Sequence, residues 1–142
     1  DAAAVLMREV YPQLFAGTAP RVPQDHSRAS YFGGRRPADG RIDWSQPARV
    51  VFNLVRAVTH PYPGAFTTWQ GRTLYVWETR LAPPAETPHA APGTIRAVRP
   101  ELIVQTGHGV LQLTRVQLED APEQSGVQWA ECHSVREGER LT

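Results

Sequence analysis

Between Asp43 and Gly64 the chain spells a helix with both ends marked. Val50, Val51, Leu54, Val55 and Val58 recur at one-, three- and four-residue steps, the spacing of an amphipathic helix, and their β-branched content calls for a buried face. Ser45 is the expected N-cap, and Pro47 falls at or near the first helical position, where its missing N–H costs nothing. The run His60-Pro61-Tyr62-Pro63-Gly64 stops the helix abruptly, because proline cannot continue it and restrains the residue before it. A helix with one apolar face needs a second layer to cover that face. The residues that follow supply it.

After Gly64 the pattern changes from helical to alternating. Ala65–Trp69, a Gln70-Gly71 turn and Arg72–Leu81 read as a hairpin, with Leu74 and Val76 on one face and Tyr75 and Trp77 on the other. A loop rich in Ala and Pro spans Leu81 to Pro92. Three further strands are predicted at Gly93–Val98, Leu102–Thr106 and Val110–Leu118. Five short strands joined by tight turns point to a small antiparallel barrel or open sheet. From Ala121 onward the chain is polar, with one helical turn expected between Val127 and Val135.

Upstream, residues 1–17 read as a helix: Val5, Leu6, Val10, Leu14 and Phe15 form the stripe, Gly17 is the stop, and Pro12 invites a kink. Thr18 to Gly40 has proline and glycine but no periodicity, as in a functional loop or an inter-domain linker. The chain opens Asp1-Ala2-Ala3-Ala4, without an initiator Met or a secretory leader, and so reads as an excised domain. No apolar run reaches the roughly 18 residues of a membrane span. The single cysteine, Cys132, excludes an internal disulfide framework and a cysteine-based zinc site; the five histidines are scattered, and no metal site is expected. Net charge is +1 and all 15 basic residues are arginine, without the basic stripe of a dedicated nucleic-acid surface.

Nucleophile-elbow and phosphate-loop motifs are missing. Asp39 and Asp43 read as a turn residue and a helix starter rather than as a catalytic carboxylate pair. Two stretches stand out. In Tyr31-Phe32-Gly33-Gly34-Arg35-Arg36-Pro37 the aromatics can stack on a ring and the guanidiniums can clamp a phosphate or carboxylate; equally, this is a solvated loop pinned by its aromatics. In Asn53-Leu54-Val55-Arg56-Ala57, running into His60 to Phe66, a polar Asn and Arg on a mostly buried helix need partners, and a rigid Pro-x-Pro-Gly turn fixes the tyrosine between its prolines. That stretch reads as functional or as a clasp between helix and sheet.

Arg35 to Ala48, then Asn53 to Val58, then Pro61-Tyr62-Pro63-Gly64-Ala65-Phe66 together resemble the second half of a folate-dependent formyltransferase. Pro23-Gln24-Asp25, Ala91-Pro92-Gly93-Thr94-Ile95 and Gly138-Glu139-Arg140-Leu141 extend the likeness over almost the whole chain. It is strongest towards the formyltransferase that modifies UDP-4-amino-4-deoxy-L-arabinose. The resemblance implies an α+β, mostly β fold: an N-terminal helix and long crossing loop, then a helix packed on a small OB-like antiparallel barrel. The implied domains are 1–24, the terminal helix of a truncated Rossmann-like domain; 25–41, the crossing loop; and 42–142, the C-terminal domain. It further implies that the Asn, His and Asp that activate the amine, and the 10-formyltetrahydrofolate pocket, lie in a preceding catalytic domain that is the partner of this chain. No Asn-x-His motif occurs and Asn53 is the only asparagine, so no catalytic residue is assigned here. Arg35, Arg36, Tyr31 and Phe32 are the expected substrate contacts. Asn53, Arg56, Tyr62, Pro63 and Gly64 are the expected structural and interdomain residues. The charge balance favours a nucleotide-linked amino sugar over initiator tRNA as substrate, with an oligonucleotide-binding barrel as the reading from another class. A cytoplasmic location follows from the use of cytosolic folate and the lone thiol.

Overall fold

A computed structural model describes residues 2–34, 36–83 and 90–142. The chain divides into two compact units, residues 1–34 and 35–142.

The first unit holds helix α1, Ala2–Phe15. It runs through Pro12, whose carbonyl still accepts from Ala16 at 3.0 Å, and it stops at Gly17, which sits at φ +69°. No side chain of α1 is buried, so its apolar stripe builds no core. A 3-10 turn follows at His26–Arg28, opened by Asp25, which accepts from the Ser27 N–H and hydroxyl at 3.0 and 2.6 Å.

The second unit lays helix α2, Ala48–Val58, on an antiparallel sheet. Its core face is Ala48, Val51, Val55 and Val58, a three- and four-residue rhythm. Val50, expected in that stripe, is 48% exposed. Ser45 is not the N-cap. Its N–H and hydroxyl donate to Asp43 at 2.9 and 2.6 Å, forming an Asx turn one step earlier, and Pro47 stands before the first helical residue. The helix is amphipathic rather than mostly buried: Asn53 and Arg56 point to solvent.

The strands are β1 (Ala65–Trp69), β2 (Arg72–Leu81), β3 (Ile95–Ala97), β4 (Ile103–Gln105), β5 (Val110–Leu118) and β6 (Gln124–Ser125). Their order is β1-β2-β5-β4-β3, with β6 also on β5. The β1–β2 hairpin turns at Gln70 and Gly71, both at positive φ as a tight hairpin requires. The α+β class is as expected, but the barrel is not: no ladder joins β1 to β3, and the sheet is open. Backbone bonds from the chain's last residues span the gap instead. Thr142 exchanges bonds of 2.7 and 2.9 Å with Thr68 on β1, Leu141 donates to Gly93 at 2.9 Å, and Glu139 accepts from Ile95 on β3 at 2.8 Å. Helix α3, Gly126–Cys132, is capped by Ser125 and drives Trp129 and Ala130 into the core beside Trp69.

Candidate functional site

Arg36 and Pro37, from the end of the first singled-out stretch, meet the second at the C-terminal end of α2. Ile42 donates to the Phe66 carbonyl at 2.8 Å and lays residues 41–42 along the free edge of β1, which brings the 3-10 turn Pro37–Gly40 against the turn that ends α2. Gly40 is buried there, and a Cβ at this position would run into the Gly64 carbonyl oxygen. Gly64 itself sits at φ +90°, and a Cβ on it would lie 2.8 Å from the Trp77 ring. Glycine at both positions is therefore a packing requirement. Between the two turns opens a cavity of about 450 Å³, walled by Pro37, Ala57, Tyr62, Pro63 and Gly64, with Arg36 among its lining residues.

Among the described residues, Arg36 is the one charged group lining this cavity. Its backbone N–H donates to Asp39 Oδ2 at 2.7 Å, while its guanidinium makes no ion pair with a described residue. Asp43 does not compete for it, being engaged by Ser45 and by the Gln46 amide at 3.0 Å. Those hydrogen bonds, from the Ser45 hydroxyl, the Gln46 amide and then the Ser45 N–H, hold the Asp43 carboxyl below the usual carboxylate range. An unpaired planar cation beside apolar walls is suited to a phosphate or carboxylate carried on a flat or apolar body.

Tyr62, Pro63 and Gly64, expected as structural and interdomain residues, share one cavity with Arg36. Arg35 lies outside the described residues. Tyr31 and Phe32 belong to the N-terminal unit and are each 90% exposed. Asn53 makes no side-chain hydrogen bond to a described residue, and Arg56 rests its guanidinium 5.8 Å from the Phe52 ring centre. Sequence reasoning placed His60 in the turn and Trp77 on the hairpin but assigned neither a role at the site, and it missed Glu123. The His60 ring stacks on Trp77 at 3.9 Å and 10°, and its Nε2 is 2.5 Å from Glu123 Oε1, whose second oxygen accepts from Arg115 Nε at 2.9 Å. Burial alone would raise the Glu123 carboxyl, but the His60 and Arg115 hydrogen bonds and charges outweigh it and hold it below its ordinary range. The signal for this cluster was the His-Pro start of the turn.

Among the described residues no group of three or more His, Cys, Asp or Glu side chains is placed to hold a metal ion. Among the described residues the cavity lining holds no carboxylate and no side-chain amide. No described helix is long and apolar enough to cross a membrane.

Fold and cavity define a small α+β module, with one helix on an open sheet and a cationic, apolar-walled cavity at the helix end. Residues 35–134 match the family described as "Formyl transferase, C-terminal domain", and the chain belongs to that family. The fold is similar to solved structures of HypX from Aquifex aeolicus. A multiply substituted HypX variant aligns with 94% of this chain at 16% identity and a TM-score of 0.59. HypX in complex with tetrahydrofolic acid aligns with 87% at 18% identity and a TM-score of 0.56. At such identities the likeness is one of fold, and this chain spans only 23% and 22% of those two HypX chains.

Proposed function

We propose that this chain is the C-terminal, substrate-binding part of an enzyme that transfers the formyl group of 10-formyltetrahydrofolate to the amino group of a nucleotide-linked amino sugar. The observation that carries the reading is the Arg36 guanidinium, without an ion pair to a described residue, at an apolar-walled cavity inside a formyltransferase C-terminal domain. Membership of that family and the tetrahydrofolate bound by HypX support the cofactor class. The groups that take the amine's proton and stabilise the developing oxyanion, together with the folate site, are assigned to a preceding catalytic domain, the partner of this module, in a cytosolic enzyme. This module holds and orients the acceptor: Arg36 takes a phosphate oxygen pair, while Tyr62, Pro37 and Pro63 exclude water from its apolar part.

A polyanion such as initiator tRNA calls for a broad basic surface. A net charge of +1 without lysine instead favours the small acceptor. The test pairs two measurements on the full-length enzyme. Formyl transfer to a UDP-linked 4-amino sugar is expected, and the isolated 142-residue chain is expected to be inactive. Tight retardation of initiator tRNA at physiological salt, with no transfer to the amino sugar, would reverse the substrate assignment.

A further inference from the structure

We infer that His60 is a positioning residue for the Arg36 cavity: it grips the Tyr62-Pro63-Gly64 wall through Trp77 and Glu123, and the grip depends on the proton it carries. The effect on ligand binding rests on the reading of the cavity given above; the grip itself does not.

The wall is a short turn with both ends seated on one indole. At its start the imidazole of His60 lies flat on Trp77, 3.9 Å between centres. At its end the Gly64 backbone approaches the same ring so closely that a Cβ would stand 2.8 Å from it. Tyr62 and Pro63, between these anchors, line the cavity. Trp77 is itself immobilised. Its Nε1 donates to Gln117 Oε1 at 3.0 Å, Gln117 donates on to the Ala121 carbonyl at 2.8 Å, and the Trp77 carbonyl accepts from the Thr59 hydroxyl at 2.9 Å. The indole is a fixed platform, and His60 is the part of the clamp that can change charge.

The charged groups facing the imidazole are Glu123, on the connection from β5 to β6, and behind it Arg115 on β5. From β2 it meets the uncharged Trp77, with Tyr75 stacked 5.9 Å further on. An imidazolium gains twice in this setting, from the indole face and from a charge-assisted bond to the carboxylate, roughly double the strength of a neutral one. On deprotonation it keeps only the ring stack and a neutral bond. Glu123 retains Arg115 in either state, so losing the His60 charge strands no carboxylate and leaves the fold intact. The wall is therefore firm while His60 is charged and looser once it is neutral.

Two backbone bonds report on the turn directly: Tyr62 N–H to Thr59 O at 3.1 Å and Gly64 N–H to Val58 O at 2.9 Å. The test measures amide-exchange protection factors of Tyr62 and Gly64 by NMR on the full chain from about pH 5 to about pH 8, with β5 amides as the control. Protection is expected to fall about five- to tenfold as pH rises, which is the difference between a charge-assisted and a neutral hydrogen bond. His60→Gln should be low and flat with pH. Glu123→Gln should keep only the smaller dependence that the indole face gives, separating the carboxylate clamp from a general field effect. Wild-type protection that does not change with pH, or a full pH dependence in Glu123→Gln, overturns the inference. In the full-length enzyme, with UDP as the probe, His60→Gln should weaken binding several-fold. If Arg36→Lys weakens UDP and His60→Gln does not, the positioning role is wrong while the cavity reading stands. If UDP fails to bind at all, the cavity reading falls and the exchange data alone decide the grip.

Discussion

Gly40 and Gly64 fix the site more firmly than any charged residue does. The Gly40 Cα faces the Gly64 carbonyl with no room for a methyl, and the Gly64 Cα faces the Trp77 ring. Gly40→Ala should therefore push the two turns apart and cost about 2–4 kcal/mol, read as a lowered Tm, with the cavity deformed. Gly33→Ala is the control: nothing lies within 4 Å of a Cβ there, and its effect should stay within about 0.5 kcal/mol. Equal Tm values for the two variants would contradict the packing account. This contrast also marks what a sequence displays at the residue scale. Gly33 and Gly34 attract notice because they are adjacent to arginines, yet the indispensable glycines are those where two backbones distant in sequence touch. Arg36 and the Tyr62-Pro63-Gly64 turn were both visible as motifs; that they line one cavity was not. His60 and Glu123 stand 63 positions apart, a contact no local pattern records.

Elements with a strong local period were legible to the residue. The β1–β2 hairpin and β5 end where alternation and the Gln70-Gly71 turn put them, because half-buried strands repeat every two residues. The α2 boundary slipped because the Asx turn at Asp43 competes with Ser45 for the capping role. How the sheet is finished was not legible at all. It rests on a handful of backbone bonds between residues 138–142 and the two sheet edges, with Leu141 inserted into the core at 1% exposure. Leu141→Ala should cost about 2–5 kcal/mol, as a buried leucine with little room to collapse does. Its neighbour Arg140, whose Nε donates to the Pro92 carbonyl from an exposed position, should cost under about 1 kcal/mol when changed to Ala. A loss at Leu141 as small as that expected at Arg140, by urea denaturation, would mean that the end segment is dispensable to the core. The stripe on α1 was equally legible as a period, but a period states only that a face is apolar, not that this chain supplies its cover.

At the scale of the molecule the charges are local rather than collective. Four acids among the described residues are held below their ordinary range: Asp25 by Ser27, Asp43 by Ser45 and Gln46, Glu119 by Thr73 with Arg72 beside it, and Glu123 by His60 and Arg115 against its burial. A carboxyl whose folded-state pKa lies below its unfolded value contributes stability that is fully present above the unfolded value and is lost as pH falls through the folded one. Urea midpoints should thus decline from about pH 5 towards pH 2–3, and Glu119→Gln with Glu123→Gln should flatten that slope. A midpoint that is constant or rises on acidification would contradict the assignment. None of these pairs involves Arg36, whose guanidinium stays free of ion pairs with described residues at the cavity. A spare, planar cation on a formyltransferase C-terminal domain is the centre of the account. The most direct test is the KM for the nucleotide-linked amino sugar in the full-length enzyme carrying Arg36→Lys, with Tm measured alongside. Loss of the forked, charge-assisted contact, worth ~1.5–3 kcal/mol, should raise KM about ten- to hundredfold while Tm holds. A wild-type KM in that variant would show that Arg36 does not touch the substrate and that the cavity is only part of the tether between domains.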